Sequence, residues 1–208
     1  MIDIISDEAF ERIKLILHDI PGGAEKALYG VISRATTTMR KVSLDGITSI
    51  YDIKRKDIMD SRNTAIEKKT KKVDGGVIGS ISYAGMQIPI IRFGVTPKNP
   101  QRQRNRVPIN IGGRWVMASP GVSVKVRQRK DRPKTRLDNA FVANLGRGVG
   151  VFERTTGRHN SSAQIMGVST AQMAGDSGVM RKVDEAAQEV IVNRTEHEIS
   201  RILNGWGR

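Results

Sequence analysis

Ala140-Phe141-Val142-Ala143-Asn144-Leu145-Gly146-Arg147-Gly148-Val149-Gly150-Val151-Phe152-Glu153-Arg154 divides into two short apolar runs, Ala140 to Leu145 and Val149 to Phe152, joined by a glycine-rich corner at Gly146-Arg147-Gly148. Two β-capable runs separated by a few residues containing glycine predict a hairpin or a sharp strand-to-strand bend. Val149 and Val151 give one branched face. The opposite positions, Gly148 and Gly150 with Phe152, leave mostly bare backbone, and strand glycines of this kind mark a bulge or the close approach of another chain. Phe141 and Phe152 are two of only 4 Phe in the chain, so they are expected to anchor the core here.

Outward from this bend the pattern continues as strands on the N-terminal side. Val122 to Arg127 alternates cleanly. Val107 to Ile111 and Trp115 to Met117 flank Gly112-Gly113, a second hairpin signal. Val77, Ile78, Ile81 and Tyr83 precede an Ala84-Gly85 turn, and Gln87 to Phe93 follows as a strand in which Pro89 argues for an edge or a bulge. Further back the period becomes helical. Ser6-Asp7-Glu8 caps a first helix carrying Phe10, Ile13, Ile16, Leu17 and Ile20, which Pro21-Gly22-Gly23 ends. A second helix holds Ala24, Ala27, Leu28, Val31, Ile32, Ala35, Met39 and Val42. Leu44-Asp45-Gly46 is expected to turn the chain, and Ile47 to Lys71 reads as a third, more polar helical region. Beyond the bend, Thr155 to Ala163 is polar. Asp176-Ser177-Gly178 then caps a last helix with Val179, Val183, Ala187, Val190, Ile191, Ile199, Ile202 and Leu203, closing at Gly205.

Helices, then four to six antiparallel strands, then a helix predict an α+β domain. A central antiparallel sheet would be packed by the N-terminal helices and a long C-terminal helix, with extended basic loops. The expected parts are a helical region 1–72, a β region 73–158 with basic loops 96–106 and 127–136, and a linker and helix 159–208, all within one structural domain.

The 208 residues carry a formal net charge of +14, with 38% hydrophobic and 4% aromatic residues and no cysteine. The absence of cysteine removes disulfides and thiolate metal sites. No basic segment precedes the apolar residues at the N-terminus, and apolar runs are short throughout. These features predict a soluble chain with no signal peptide, no transmembrane span and no membrane partner. A charge surplus of this size points to a polyanion or an acidic protein as partner.

The surplus is concentrated. Twelve cations lie between Lys98 and Arg136 against Asp131 alone. Arg102, Arg104 and Arg106 in one loop, and Arg127, Arg129, Lys130, Arg132, Lys134 and Arg136 in the other, are the candidate DNA-facing residues. Such a cluster binds phosphates by releasing counterions. A solvated sheet face whose charge blunts edge pairing is the plainer alternative. No base-reading motif accompanies the cations, and Trp115 is the one aromatic nearby, so sequence-specific and single-strand recognition are disfavoured. Gly146-Arg147-Gly148-Val149-Gly150 lacks the Lys-Ser/Thr of a P-loop and is followed by a second β-like run, so no nucleotide cofactor is expected. His18, His159 and His197 show no metal-ligand spacing. The acids Glu8, Glu25, Asp57, Asp60, Glu185 and Glu189 are scattered, which argues against a metal-dependent nuclease and against an enzyme generally.

The central residues also carry a resemblance. Ala140-Phe141-Val142-Ala143, Gly146-Arg147-Gly148, Gly150-Val151-Phe152-Glu153-Arg154 and Gly157-Arg158 resemble the central signature of the bacteriophage minor tail protein Z family. Ile53-Lys54-Arg55-Lys56-Asp57-Ile58, Ile88 to Gly94 and Gln164 to Ser169 resemble shorter stretches around it. The resemblance implies a virion structural protein at the head-proximal end of a long tail, acting in tail completion or head joining and assembled in the host cytoplasm. It further implies a ring of identical subunits, commonly six, around a channel, with other tail and neck proteins as partners and genomic DNA in the channel. No catalytic residues come with it. Phe141, Gly146, Gly148, Gly150, Val151, Phe152 and Arg154 become the candidate subunit-interface residues, with contact expected through sheet edges near 146–152. A cellular nucleic-acid-binding protein without sequence specificity is the alternative.

Overall fold

The longest apolar stripe in the chain makes the longest helix. In the computed structural model, which describes residues 2–3, 7–60, 65–73, 76–100, 107–111, 113–118, 124–137, 140–145, 148–154 and 162–205, Ala27, Leu28, Val31, Ile32, Ala35, Met39, Leu44 and Ile47 all lie on the buried face of one helix. The elements in chain order are β1 (Ile2–Asp3), α1 (Asp7–Ile16), α2 (Gly23–Ile50), α3 (Arg55–Ile58), β2 (Ala65–Val73), β3 (Gly76–Ala84), β4 (Gln87–Pro89) and a 3-10 turn (Ile90–Arg92). There follow β5 (Val107–Ile111), β6 (Arg114–Ala118), β7 (Val124–Val126), β8 (Thr135–Leu137), β9 (Ala140–Asn144), β10 (Val149–Arg154), β11 (Ser162–Gln164), β12 (Met166–Ser169), α4 (Thr170–Ala174) and α5 (Ser177–Leu203).

Helices α2 and α5, of 28 and 27 residues, are each about 40 Å long at 1.5 Å per residue. They run antiparallel. A Cβ on Gly23 would sit 3.5 Å from Ile202, one on Gly30 2.9 Å from the Glu198 carboxylate, and one on Gly46 3.3 Å from Val179. Small residues along α2 therefore set how closely α5 approaches. The facing stripe of α5 is Val179, Val183, Ala187, Ile191, Ile199 and Ile202, and burying each larger aliphatic stabilises by about 1.5–3 kcal/mol. Leu203, expected on that stripe, is exposed. Buried Glu198 is held by Arg201 Nε at 2.7 Å, and the buried hydroxyls of Thr36 and Thr195 donate to the carbonyls of Ile32 and Ile191.

The strands pair antiparallel in five small sheets, in the orders β1-β3-β2, β11-β10-β9, β12-β4, β5-β6 and β7-β8. A mixed α+β fold with a long C-terminal helix is present, but the described strands do not join into one central sheet. The hairpins expected across Gly112-Gly113 and across 146–148 form, with Ile111 opposite Arg114 and Val149 opposite Asn144. Gly148 has φ of +101°, a left-handed conformation that glycine adopts without steric cost. Asp176 caps α5, accepting from the Gly178 N–H at 3.0 Å.

Several expectations fail for physical reasons. Leu44-Asp45-Gly46 is not a turn: α2 continues to Ile50, and Gly46 serves the close contact with Val179. The third helical region does not exist as such. After the short α3, residues 65–73 are strand β2, paired with β3 along its whole length from Ala65 opposite Ala84 to Val73 opposite Gly76. Its alternation is disguised because lysines occupy positions that meet polar partners on α2. Lys68 Nζ donates to Thr37 Oγ1 at 3.0 Å, and Lys72 pairs with Glu25 at 2.9 Å. The strand from Gln87 is three residues long and pairs with β12, where the register shifts between Met166 and Ser169. Phe141 and Phe152 contact each other with ring centroids 6.1 Å apart, yet both are only half-buried. The fully buried aromatic ring is Phe93. The expected linker at 155–161 lies outside the described residues.

Strand β3 faces α2 through Val77, Gly79 and Ile81, all buried. A methyl on Gly79 would collide with Ile32 Cγ2 at 2.6 Å and with the Thr36 hydroxyl. Alanine at an unconstrained strand position is favoured over glycine by about 0.5–1 kcal/mol, whereas overpacking costs about 1–3 kcal/mol. Gly79→Ala is therefore expected to lower stability by about 1–2 kcal/mol in urea unfolding. A gain would refute the close α2–β3 packing.

Candidate functional site

The basic segment 127–136 belongs to a folded hairpin rather than an extended loop. Val124, Lys125 and Val126 pair with Leu137, Arg136 and Thr135. On its other side, the Thr96 and Lys125 backbones exchange two hydrogen bonds of 2.9 Å, as do Gly94 and Arg127 at 3.1 Å. Past Val126 the chain leaves this pairing and meets the end of α2. The Asp52 N–H donates to the Gln128 carbonyl, and the Lys130 N–H donates to the Ile50 carbonyl, each at 2.8 Å.

That meeting point explains the seat of three cations. Carbonyls in the last turn of a helix lack intrahelical partners and carry the negative end of the helix dipole. The last turn of α2 contains no basic residue of its own. Lys130 supplies one from a distance, its Nζ donating to the Thr48 carbonyl at 2.6 Å. Arg127 reaches Asp52 Oδ2 through Nε at 2.8 Å and through Nη2 at 2.7 Å. Arg129 donates through Nη1 to Asp176, through Nε to Asp131 Oδ1 at 3.1 Å, and its guanidinium lies 5.4 Å from the Tyr51 ring centroid.

Asp176 is the node of this network. It accepts from Arg129, from the Tyr51 hydroxyl at 3.2 Å and, through its other oxygen, from the Gly178 N–H. Burial alone would raise its pKa, but the hydrogen bonds from Arg129, Gly178 and Tyr51 outweigh burial and hold it below the usual carboxylate value. Asp131 is also held low, chiefly by its hydrogen bonds from Arg129. Tyr51 is pushed up, first by burial and then by the adjacent Asp176 charge.

The nine candidate DNA-facing cations thus separate. Arg102, Arg104 and Arg106 lie outside the described residues. Arg127, Arg129 and Lys130 are committed to the hairpin's own attachment. Arg132, Lys134 and Arg136 are exposed at its outer end, where Lys134 Nζ donates to Thr96 Oγ1. Arg132 also borders a cleft of about 430 Å³ lined by Tyr51, Ile90, Val126, Arg129 and Leu137. Among the candidate interface residues, Gly146 lies outside the described set. Gly150, Val151, Phe152 and Arg154 belong to β10, which is the middle strand of its sheet, between β9 and β11. Val151 is fully buried. Contact between subunits through the edge of β10 is therefore excluded, and β9 and β11 are the terminal strands.

A second basic cluster was not anticipated from the sequence. Arg40 and Lys41 on α2, Arg55 on α3 and Lys68 on β2 line one cavity of about 380 Å³. The run Glu67-Lys68-Lys69-Thr70-Lys71-Lys72 was a signal for it, hidden by assigning those residues to a helix. Among the described residues no group of three or more His, Asp or Glu side chains is placed to hold a metal ion.

Asn caps helices about as well as Asp, so two substitutions separate the roles of Asp176. Asp176→Asn keeps the cap and removes the charge facing Arg129, for an expected loss of about 1–2 kcal/mol. Asp176→Ala also removes the cap and costs about 1 kcal/mol more. Because the folded-state pKa of Asp176 is depressed, its contribution is complete above the unfolded value and lost as pH falls through the folded one. Thermal melts of wild type and Asp176→Asn should differ fully at pH 7 and converge below about pH 4. A gap independent of pH would refute the charged role of Asp176.

Comparison with protein-family models, with curated proteins and with solved structures found no match to this chain.

Proposed function

We propose that this chain is a structural subunit of a bacteriophage tail, a tail-completion or neck component at the head-proximal end that forms a ring with copies of itself and turns a basic surface toward the DNA path. The observation that supports it most is the hairpin of β7 and β8. Its inner cations are neutralised against Asp52 and Asp176 and against the carbonyls of α2, while Arg132, Lys134 and Arg136 stand exposed at the outer end. A rigid mount for a few outward cations suits contact with a phosphate backbone, which positions nucleic acid without reading its sequence. The hairpin of β9 and β10 supplies the other support, through the resemblance of residues 140–158 to the minor tail protein Z signature. In this reading the ring contact runs through the terminal strand β9 and the exposed Leu145 and Val149 beside it. The role is architectural and not catalytic.

Light scattering on the purified chain, followed by electron microscopy of the eluted species, should give a closed ring with a central hole. Replacing Arg132, Lys134 and Arg136 together by Gln should leave that ring intact. It should also lower the slope of log affinity against log salt for duplex DNA by about 2–3, since each phosphate no longer neutralised takes close to 0.9 from the slope. A stable monomer that binds duplex DNA tightly would instead favour the cellular nucleic-acid-binding alternative. An unchanged slope would remove the hairpin from the DNA path.

A further inference from the structure

The cavity between α2, α3 and β2 is independent of the hairpin and asks for a ligand of its own. Four cations from three separate elements converge on it: Arg40 and Lys41, Arg55, and Lys68. Among the described residues no acidic side chain lines it. Arg55 is balanced in part by Asp45, to which its Nη1 donates at 2.8 Å, and both side chains are about half exposed. Lys68 is oriented by its 3.0 Å hydrogen bond to Thr37 Oγ1, another lining residue. Like charges brought together repel, so such a cluster costs stability unless an anion joins it.

The second observation concerns Arg40. Its Nε is buried and has no hydrogen-bond partner among the described residues, and it is the one buried side-chain nitrogen or oxygen among them in that condition. Buried polar groups are almost always paired, and an orphan calls for a partner. Guanidinium donors form a planar fork that matches the oxygens of phosphate. At about 380 Å³ the cavity also falls within the range of small-ligand sites. Its apolar share, from Leu44, Met59 and Ile66, offers contact to the organic body that carries such a group.

We propose that this cavity binds a phosphate group, with the Arg40 guanidinium as its fork and Lys41 and Lys68 as flanking charges. The group arrives either on a free nucleotide or on a nucleic-acid backbone. The site does not depend on the tail reading, because none of its residues belongs to the hairpin or to the 140–158 segment.

The test is side-chain NMR on the full chain, following the Arg40 Nε–H signal while adding inorganic phosphate, adenosine monophosphate or a twelve-base-pair DNA duplex in separate titrations. A saturable shift of that signal is expected with phosphate. Arg40→Lys, which keeps the charge and loses the fork, should weaken phosphate binding about tenfold, and Lys68→Gln should also weaken it. The backbone spectrum of each variant reports whether it still folds, and having two variants protects the test against the failure of one. Tighter binding of the monophosphate than of the duplex assigns a nucleotide, and the reverse order with a steep salt slope assigns a nucleic-acid backbone. The proposal is overturned if none of the three probes moves the Arg40 signal saturably, or if both folded variants bind phosphate as wild type does. It is likewise overturned if poly-glutamate moves the signal as strongly as phosphate, since that would mark a surface for acidic protein.

Discussion

The antiparallel packing of α2 against α5 determines where everything else sits. Because small residues on α2 let α5 lie close along its whole length, the end of one helix arrives beside the start of the other. A Cβ on Gly178 would be 3.1 Å from Ile50 Cδ1, so Tyr51 and Asp176 become neighbours although 125 residues separate them. Two negative features then converge: the unpaired carbonyls at the end of α2 and the carboxylate that caps α5. Both attract cations. The segment from Arg127 to Lys130 answers with three, and the hairpin is fixed by the same electrostatics that completes the two helix ends.

This arrangement changes the meaning of the chain's charge. A net charge of +14 suggests a surface coated for polyanions, and part of it is that. Another part is internal to the architecture. Arg127 and Arg129 are half-buried among carboxylates, and Lys72 ties β2 to Glu25 on α2. What is left for partners is grouped in two places, the outer end of the β7–β8 hairpin and the cavity beside α2. The first belongs to an assembly role next to DNA. The second has the dimensions of a small-ligand site and a buried donor that calls for a partner.

The helices and hairpins were legible because their signals are local. Asp176 sits three residues ahead of the first apolar position of α5, and glycines stand at the corners of the β5–β6 and β9–β10 hairpins. The failures share a cause. Strand β2 carries its period in lysines, and only the bonds to Thr37 and Glu25 show that Lys68 and Lys72 face one way. Gly46 looks like a helix stop until Val179 is placed against it. Arg127 and Arg129 look like free surface charge because their partners, Asp52 and Asp176, lie 75 and 47 residues away. Missing β2 also hid the phosphate-sized cavity, since Lys68 reaches it only as part of a strand edge lying on α2.

Hydrogen exchange at the amides that attach the hairpin is the most direct test of this account, whose centre is a basic surface held rigid by the two helix ends. The Lys130 N–H bound to Ile50, the Asp52 N–H bound to Gln128 and the Arg127 N–H bound to Gly94 should exchange about as slowly as amides in the middle of α2. Exchange at rates typical of an open loop, with α2 still protected, would show that the basic segment is not anchored as described.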